Sequence, residues 1–220
     1  MKSDSTDSPW PRIGDPEIAR LYSALTTLGG TIGDATHRRG QFRLGFKQTA
    51  LYYISLFIDD PPAWMPTGER TPQTKIGYLR FQTEELRDIA YSLLSGRLAT
   101  WWWAATGDDF DVTSGLLSSF PVDAAKIKPA WPGLKELAKQ LRKEQPKHPI
   151  VTRYAGKEMG NYDMLRCRHL TDQADRLVLR TLGLEDLWPA LILADDRLNK
   201  QTGERPGTER VWPYPWEPGE

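Results

Sequence analysis

Three consecutive tryptophans, Trp101, Trp102 and Trp103, constrain the fold of this chain more than any other feature. They lie in a stretch, residues 98–105, that we predict to be helical. Successive residues of a helix or strand point in different directions, so the three indole rings cannot share one side. Each ring presents a large apolar surface. Part of the triplet must therefore contact a second layer of the protein or a partner, and we assign all three to a candidate partner-binding set.

Hydrophobic alternation predicts three strands. Residues 42–47 alternate apolar side chains with Arg43, Gly and Lys47, which is typical of a half-buried strand with a basic outer face. Residues 51–58 form a continuous apolar and β-branched run, typical of a central strand. The side chains of residues 74–81 again follow the alternating pattern of a strand. The side chains expected on one face of that third strand are Ile76, Tyr78 and Arg80.

Apolar stripes at helical spacing predict helices between and after these strands. Together the elements predict an α+β fold: a mixed small sheet with packed helices, followed by a helical C-terminal part. The predicted helices are residues 16–28, 84–95, 98–105, 132–143, 171–182 and 187–200.

The organisation that we predict has four parts. Residues 1–15 are a disordered lead-in, 16–125 an α+β core, 126–200 a helical part with a glycine-rich basic loop, and 201–220 an extended, mobile tail rich in proline and tryptophan. The aromatic residues of the tail are expected to dock on a partner or on the body; they are Trp212, Tyr214 and Trp216.

The amino-acid composition limits the kinds of partner that the chain is expected to bind. The 220 residues have a formal net charge of zero, so any nucleic-acid site must be a local basic patch. A single cysteine, Cys167, excludes an internal disulfide and fits the reducing cytoplasm, where we place the chain. Its neighbours Arg166 and Arg168 are expected to lower its pKa. The sequence has no apolar run of membrane-spanning length and no signal-peptide pattern, so we expect no membrane partner.

Two basic segments are candidates for such a patch. The first is the strand at 42–47 with the turn before it, which suits contact with a phosphate backbone. The second is the stretch AGKEMGNYDMLRCRHLT at 155–171, a glycine-containing basic loop with hydrogen-bonding tips. The alternative interpretation of each segment is an ordinary solvent-exposed surface that binds no nucleic acid. The candidate DNA-binding residues are Arg38, Arg39, Arg43, Lys47, Lys75, Lys157, Asn161, Arg166, Arg168 and His169.

Sequence signatures of an enzyme are absent. The chain contains no P-loop, dinucleotide fingerprint, GxSxG motif, paired-histidine zinc motif or cysteine cluster. Asp108, Asp109 and Asp111 lie close together, but they lack the further ligands of a calcium-binding loop. We therefore expect no metal site and no catalytic activity from this chain by itself.

A resemblance to a known family is carried by three blocks, TKIGYLRFQTEELRDIAYSLLSGRLATWWWAATGDDFDVT, SSFPV and AGKEMGNYDMLRCRHLTDQADRLVLRTLGL. They resemble the C-terminal part of large bacterial adenine-specific DNA methyltransferases of type II restriction–modification and related phage-defence systems. The similarity is to the TaqI-like C-terminal specificity domain and spans roughly residues 28–200. It implies a target-recognition region that reads duplex DNA.

The family's catalytic features do not match. Its members carry a Rossmann-like domain with a GxG-type cofactor loop and an NPPY motif before this region. Here Asp60, Pro61 and Pro62 are followed by Ala63, and no glycine-rich loop precedes them. We therefore read residues 59–64 as a rigid turn. The resemblance implies a recognition half without a cofactor, working with a separately encoded catalytic or restriction subunit that binds S-adenosylmethionine and methylates adenine N6.

Two main hypotheses follow for function, and a self-contained nuclease is a further alternative. In the first, the chain is the specificity subunit: the cations at positions 38–75 neutralise phosphates, and Asn161, Arg166, Arg168 and His169 reach base edges or the adjacent backbone. In the second, it is a protein-interaction module or non-catalytic remnant that docks on a methyltransferase or restriction enzyme without reading DNA. The zero net charge, the tryptophan triplet and the aromatic tail favour the second.

Overall fold

The computed structural model describes residues 15–50, 53–107, 111–199 and 208–218. The α+β class is confirmed. The helices are α1 (Pro16–Thr26), α2 (Glu84–Leu94), α3 (Arg97–Thr106), α4 (Ser114–Ser118), α5 (Ala124–Ile127), α6 (Trp131–Glu144), α7 (Arg168–Thr181) and α8 (Trp188–Asn199). The strands are β1 (Phe42–Lys47), β2 (Leu56–Phe57), β3 (Ala63–Trp64), β4 (Ile76–Phe81), β5 (Pro149–Tyr154), β6 (Lys157–Tyr162) and β7 (Thr208–Glu209).

The first sheet has the order β2-β1-β4 and is antiparallel. The predicted strands at 42–47 and 74–81 are confirmed as β1 and β4. The predicted central strand at 51–58 is wrong: within the described residues it pairs only at Leu56–Phe57, on the edge of the sheet. Ile54 and Ser55 are nevertheless buried, so this apolar run fills the core without extending the ladder. Leu51 and Tyr52 lie outside the described residues.

The second sheet has the order β3-β6-β5-β7, and its pairings are antiparallel too. The strands therefore form two small antiparallel sheets rather than one mixed sheet. The predicted loop at 155–171 is largely wrong, because residues 157–162 are the interior strand β6 and α7 begins at Arg168 rather than Thr171. A side chain at Gly160 would collide with the carbonyl of Pro62 and the ring of Trp212. Gly160 thus serves close packing rather than flexibility.

The six longer helices form where the stripes predict them, whereas the short helices α4 and α5 were not predicted. Thr83 caps α2, its hydroxyl accepting a 3.2 Å hydrogen bond from the amide of Leu86. α2 packs against the first sheet on one side and against α6 and α7 on the other. Residues 124–131, predicted as a boundary, are short helical turns that run directly into α6. Within the described part of the chain, one cluster of buried side chains extends from Ile18 to Leu191. The predicted boundary at 125/126 therefore does not separate two cores.

The tryptophan triplet lies inside this core. Trp101, Trp102 and Trp103 are 3%, 7% and 5% exposed. Trp102 stacks on Tyr22 of α1 with ring centroids 5.7 Å apart and meets Phe120 edge-on. The triplet contacts elements on several sides of α3, so the second layer that the sequence demanded is the protein itself. The assignment of these three residues to partner binding is thus corrected: they offer almost no surface to a partner.

The tail also packs on the body where it is described. β7 pairs with β5, and Trp212 and Trp216 lie against Tyr162 with centroids 6.0 and 6.1 Å apart. Tyr214 lies 5.7 Å from Trp64. The prediction of a mobile tail is therefore wrong for residues 208–218, and docking on the body is confirmed. The predicted lead-in up to residue 14, Asp108, Asp109 and residues 200–207 lie outside the described residues.

Candidate nucleic-acid interface

The outer face of the first sheet carries a line of cationic side chains. In the β1–β4 register Arg43 lies opposite Arg80, and Lys47 opposite Ile76. Side chains of directly paired residues share a face. Tyr78 lies on this face between the two pairs. Arg43 and Arg80 are exposed, whereas the alternate residues of both strands point towards α2 and the core. The basic outer face predicted for residues 42–47 is present.

The turn at residues 37–40 extends this line at one end. The backbone amide of His37 donates a 2.8 Å hydrogen bond to the carbonyl of Arg80, which fixes the turn against the end of β4. Arg38 and Arg39 are both exposed there. The two predicted phosphate contacts therefore lie beside the cations of the sheet.

Lys75 lies at the other end of β4. It has a φ of 54°, in the left-handed region that non-glycine residues seldom adopt. Its carbonyl accepts a 2.8 Å hydrogen bond from the amide of Gln48, and its side chain is exposed. We call the exposed cations Arg38, Arg39, Arg43 and Arg80 the basic face.

A cleft of about 660 Å³ opens beside the basic face. One wall is the outer surface of β1 and β4, and the opposite wall is built by residues 58–63 and 70–73. The residues with polar side chains in its lining are Arg43, Asp59, Asp60, Arg70, Thr71, Gln73, Tyr78 and Arg142.

Both carboxylates in the cleft are engaged. Asp60 accepts a 2.6 Å hydrogen bond from the hydroxyl of Tyr78 and lies 3.3 Å from the guanidinium of Arg43, which itself lies over the Tyr78 ring. Partial burial and the neighbouring Asp60 raise the pKa of Tyr78 to about 12. Asp59 accepts two hydrogen bonds, at 2.7 and 2.8 Å, from Arg142. Arg43 thus offsets Asp60 and Arg142 offsets Asp59, while Arg38, Arg39 and Arg80 add exposed positive charge beside the cleft.

Lys47 serves mainly to join the two sheets. Its ammonium donates a 2.7 Å hydrogen bond to Gln73, whose amide donates to the carbonyls of Pro62 and Gly160 at 2.8 Å each. Burial lowers the pKa of Lys47 to about 8, partly offset by the charge of Asp60. The predicted phosphate contact is therefore half-buried and already committed to an amide oxygen.

Two predicted residues on β6 differ in placement. Lys157 reaches the rim of the cleft, where its ammonium lies 3.4 Å from the hydroxyl of Thr71. Asn161 lies between the sheets, and its side-chain oxygen accepts a 2.6 Å hydrogen bond from the buried Ser55. As the structure stands, Asn161 positions β6 and is not aimed at a base.

The three predicted residues at the start of α7 lie away from the cleft lining. Arg168 pairs at 2.5 Å with Asp195, which is 1% exposed and also pairs with Arg97. This ion-pair cluster joins α3, α7 and α8, so the predicted DNA contact of Arg168 is corrected to a structural one. Arg166 is exposed and lies 3.7 Å from Asp163, and His169 is exposed.

Several residues of the site are not among those predicted from the sequence. Arg80 and Tyr78 carried a usable signal, since strand alternation already placed them on one face. Arg142 carried no such sequence signal, because its partner Asp59 is distant in the sequence and no local pattern joins the two. The pairing of Asp60 with Tyr78 is equally non-local.

Comparison of the chain with known protein families, with curated proteins and with solved structures finds no match. Among the described residues, no helix has the length and apolar character needed to cross a membrane. The same residues contain no group of three or more His, Cys, Asp or Glu side chains arranged to hold a metal ion.

Proposed function

We propose that this chain holds duplex DNA on its basic face and is the recognition subunit of an adenine-N6 DNA methyltransferase or restriction–modification complex. The observation that carries the proposal is the basic face itself: exposed cations aligned along one strand pair and the turn that continues it, beside a polar cleft. Such an arrangement suits a phosphate backbone, which supplies most of the affinity of DNA-binding proteins.

The dimensions agree with this use. β1 has six residues, so the strand is about 20 Å long at roughly 3.3 Å per residue. That length matches about six base-pair steps of 3.4 Å. The chain as a whole is neutral, so the local field of this face would orient DNA there rather than attract it to the entire surface.

The resemblance supports the second half of the proposal. It implies that catalysis, S-adenosylmethionine and adenine N6 methylation belong to a separately encoded subunit, and the single cysteine favours a complex in the cytoplasm. Co-expression of the chain with an NPPY-bearing methyltransferase subunit tests this part. A stable complex that transfers a methyl group to adenine, and loses that activity without this chain, is expected.

The alternative, an interaction module that does not read DNA, has lost two of its supports. The tryptophan triplet is buried, and the tail's aromatic residues cover the protein's own surface. Zero net charge remains compatible with either function.

The test is a fluorescence-anisotropy titration of a 24-base-pair duplex. The triple variant Arg38→Ala, Arg39→Ala, Arg43→Ala removes three positive charges from the basic face. A matched variant, Lys126→Ala, Lys128→Ala, Lys139→Ala, removes three exposed charges from α5, α6 and the turn between them. We expect the first to weaken binding by about tenfold or more and the second to change it little. Equal losses, or none, would contradict the proposal.

A further inference from the structure

The β5–β6 hairpin projects from the protein beside the basic face. Residues 152–156 are all exposed, whereas Val151 and Glu158, further down the two strands, are buried. A side chain placed on Gly156 would meet nothing within 4 Å. The last residue pair, Tyr154–Lys157, and the turn therefore extend beyond the covered part of the sheet.

The turn of this hairpin is a defined conformation. Ala155 and Gly156 have φ values of 49° and 72°, both in the left-handed region. Two successive left-handed residues are the signature of the two-residue type I′ turn, whose twist matches that of the strands. An alanine in this region is uncommon and costs free energy, so the surrounding ladder of hydrogen bonds must hold it.

The tip presents an aromatic residue between basic ones. Tyr154 is 70% exposed, the largest value among the large hydrophobic residues that the structure describes as exposed. Lys157 is its cross-strand partner. Arg153 has a 72% exposed side chain and pairs with Glu158 at 3.2 Å. An exposed aromatic ring with adjacent cations is suited to bases and phosphates together.

The size of the projection selects one groove of DNA. One residue pair adds about 3.3 Å, and the turn brings the reach to roughly 7 Å. The major groove of B-DNA is about 8.5 Å deep and about 12 Å wide, and it admits a two-stranded β-ribbon. The minor groove, about 6 Å wide, does not.

The hairpin is placed so that both contacts occur together. The ammonium of Lys157 lies 3.4 Å from Thr71, which lines the cleft shared with Arg43 of the basic face. DNA whose backbone lies on the basic face would therefore pass next to the hairpin tip.

We propose that the tip of the β5–β6 hairpin enters the major groove of the DNA and that Tyr154 contacts base edges there. This inference rests on the proposed DNA-binding function and adds the element that reads the sequence. Lys157 would hold the adjacent phosphate, while the basic face holds the backbone beyond the groove.

The experiment uses the full chain and a pool of random 24-base-pair duplexes in which 5-iodouracil replaces thymine. The iodine occupies the position of the thymine methyl group, in the major groove. After irradiation, mass spectrometry identifies the cross-linked peptide. We expect it to contain Tyr154, and we expect Tyr154→Ala to lower the yield about tenfold while Tyr154→Phe retains it.

Binding by the same variants separates the two proposals. Tyr154→Ala removes apolar contact but no charge, so affinity should fall about fourfold with an unchanged salt dependence. Cross-links at other positions, with DNA binding intact, would overturn the hairpin assignment and leave the basic face standing. Absence of salt-dependent DNA binding by the unmodified chain would instead contradict the proposed function. Circular dichroism of each variant shows whether the fold is retained.

Discussion

The side-chain carboxyl group of Asp175 on α7 caps the N-terminus of α3: its Oδ2 accepts a 2.6 Å hydrogen bond from the backbone amide of Arg97 and a 3.4 Å one from that of Leu98. Asp175 is 1% exposed. The cap comes from a helix far along the chain, so it ties α7 to the helix that carries the tryptophan triplet. Gly96, which precedes α3, has no room for a side chain because that carboxylate fills the space.

Replacing Gly96 with alanine should therefore destabilise the protein. The added methyl group would overlap the carboxylate of Asp175, and relieving the overlap would break the cap. Losses of this kind cost about 2–3 kcal/mol. Urea unfolding followed by circular dichroism measures the difference. Gly115→Ala in α4 is the control, since its new methyl group would meet nothing closer than 3.8 Å, and it should be neutral or slightly stabilising.

The pH dependence of stability should reflect Asp175. Burial raises its pKa from 3.8 to about 8, against the opposing effect of the hydrogen bond from the amide of Arg97. Because the pKa is raised in the folded state, the protonated form is favoured by folding. The contribution is fully present below pH 4 and is lost as pH rises towards 8.

The variant Asp175→Asn keeps an oxygen for the backbone amides and removes the titration. Its melting temperature should fall less than that of the parent protein between pH 5 and pH 8. Glu136→Gln, on the exposed side of α6, should follow the parent protein. Identical pH profiles for the parent protein and Asp175→Asn would show that this carboxyl group does not control stability in that range.

Truncating Trp103 should cost stability rather than partner affinity. It is 5% exposed, and its indole nitrogen donates a 3.2 Å hydrogen bond to the carbonyl of Asp111. Removal of a buried aromatic side chain costs about 3–5 kcal/mol. Chemical unfolding of Trp103→Ala is the measurement, with the exposed Tyr154→Ala as the aromatic control. A change below about 0.5 kcal/mol in Trp103→Ala would restore the partner-binding interpretation.

Cys167 should be unreactive in the folded protein. The sequence suggested a lowered pKa between two arginines, but burial raises the pKa of this thiol to about 12, helped by the charges of Glu144 and Asp163. The thiolate is the reactive form, so alkylation by iodoacetamide at pH 8 should be slow until the chain is unfolded. Intact-mass measurement follows the reaction. Rapid labelling under native conditions would refute the burial of this thiol.

The sequence predicted the helices and strands of this fold better than it predicted how they pair and pack. Alternation and capping located β1, β4 and the longer helices, because those signals lie within a few residues. The interior position of β6 could not be predicted, since its polar sequence lies between its hairpin partner β5 and the distant strand β3. Glycines there suggested a loop, whereas Gly160 is required by contact with Pro62 and Trp212.

The residues of the candidate site also differ in whether the local sequence could predict their placement. The exposure of Arg38, Arg39 and Arg43 could be predicted, because the strand period puts Arg43 on the outer face of β1 and the other two lie in the turn before it. Arg168 could not be assigned correctly, because its ion pair with Asp195 joins separate helices.

The salt dependence of DNA binding tests the central claim most directly. The dissociation constant of a 24-base-pair duplex is measured by anisotropy from about 50 to 200 mM salt, spanning a range in which phosphate contacts weaken strongly. We predict a steep log–log slope, near −0.9 for each phosphate contacted, that becomes shallower by roughly 2–3 in the Arg38, Arg39, Arg43 triple alanine variant and is unchanged in the Lys126, Lys128, Lys139 control. A flat dependence, or equal slopes for all three proteins, would contradict the account.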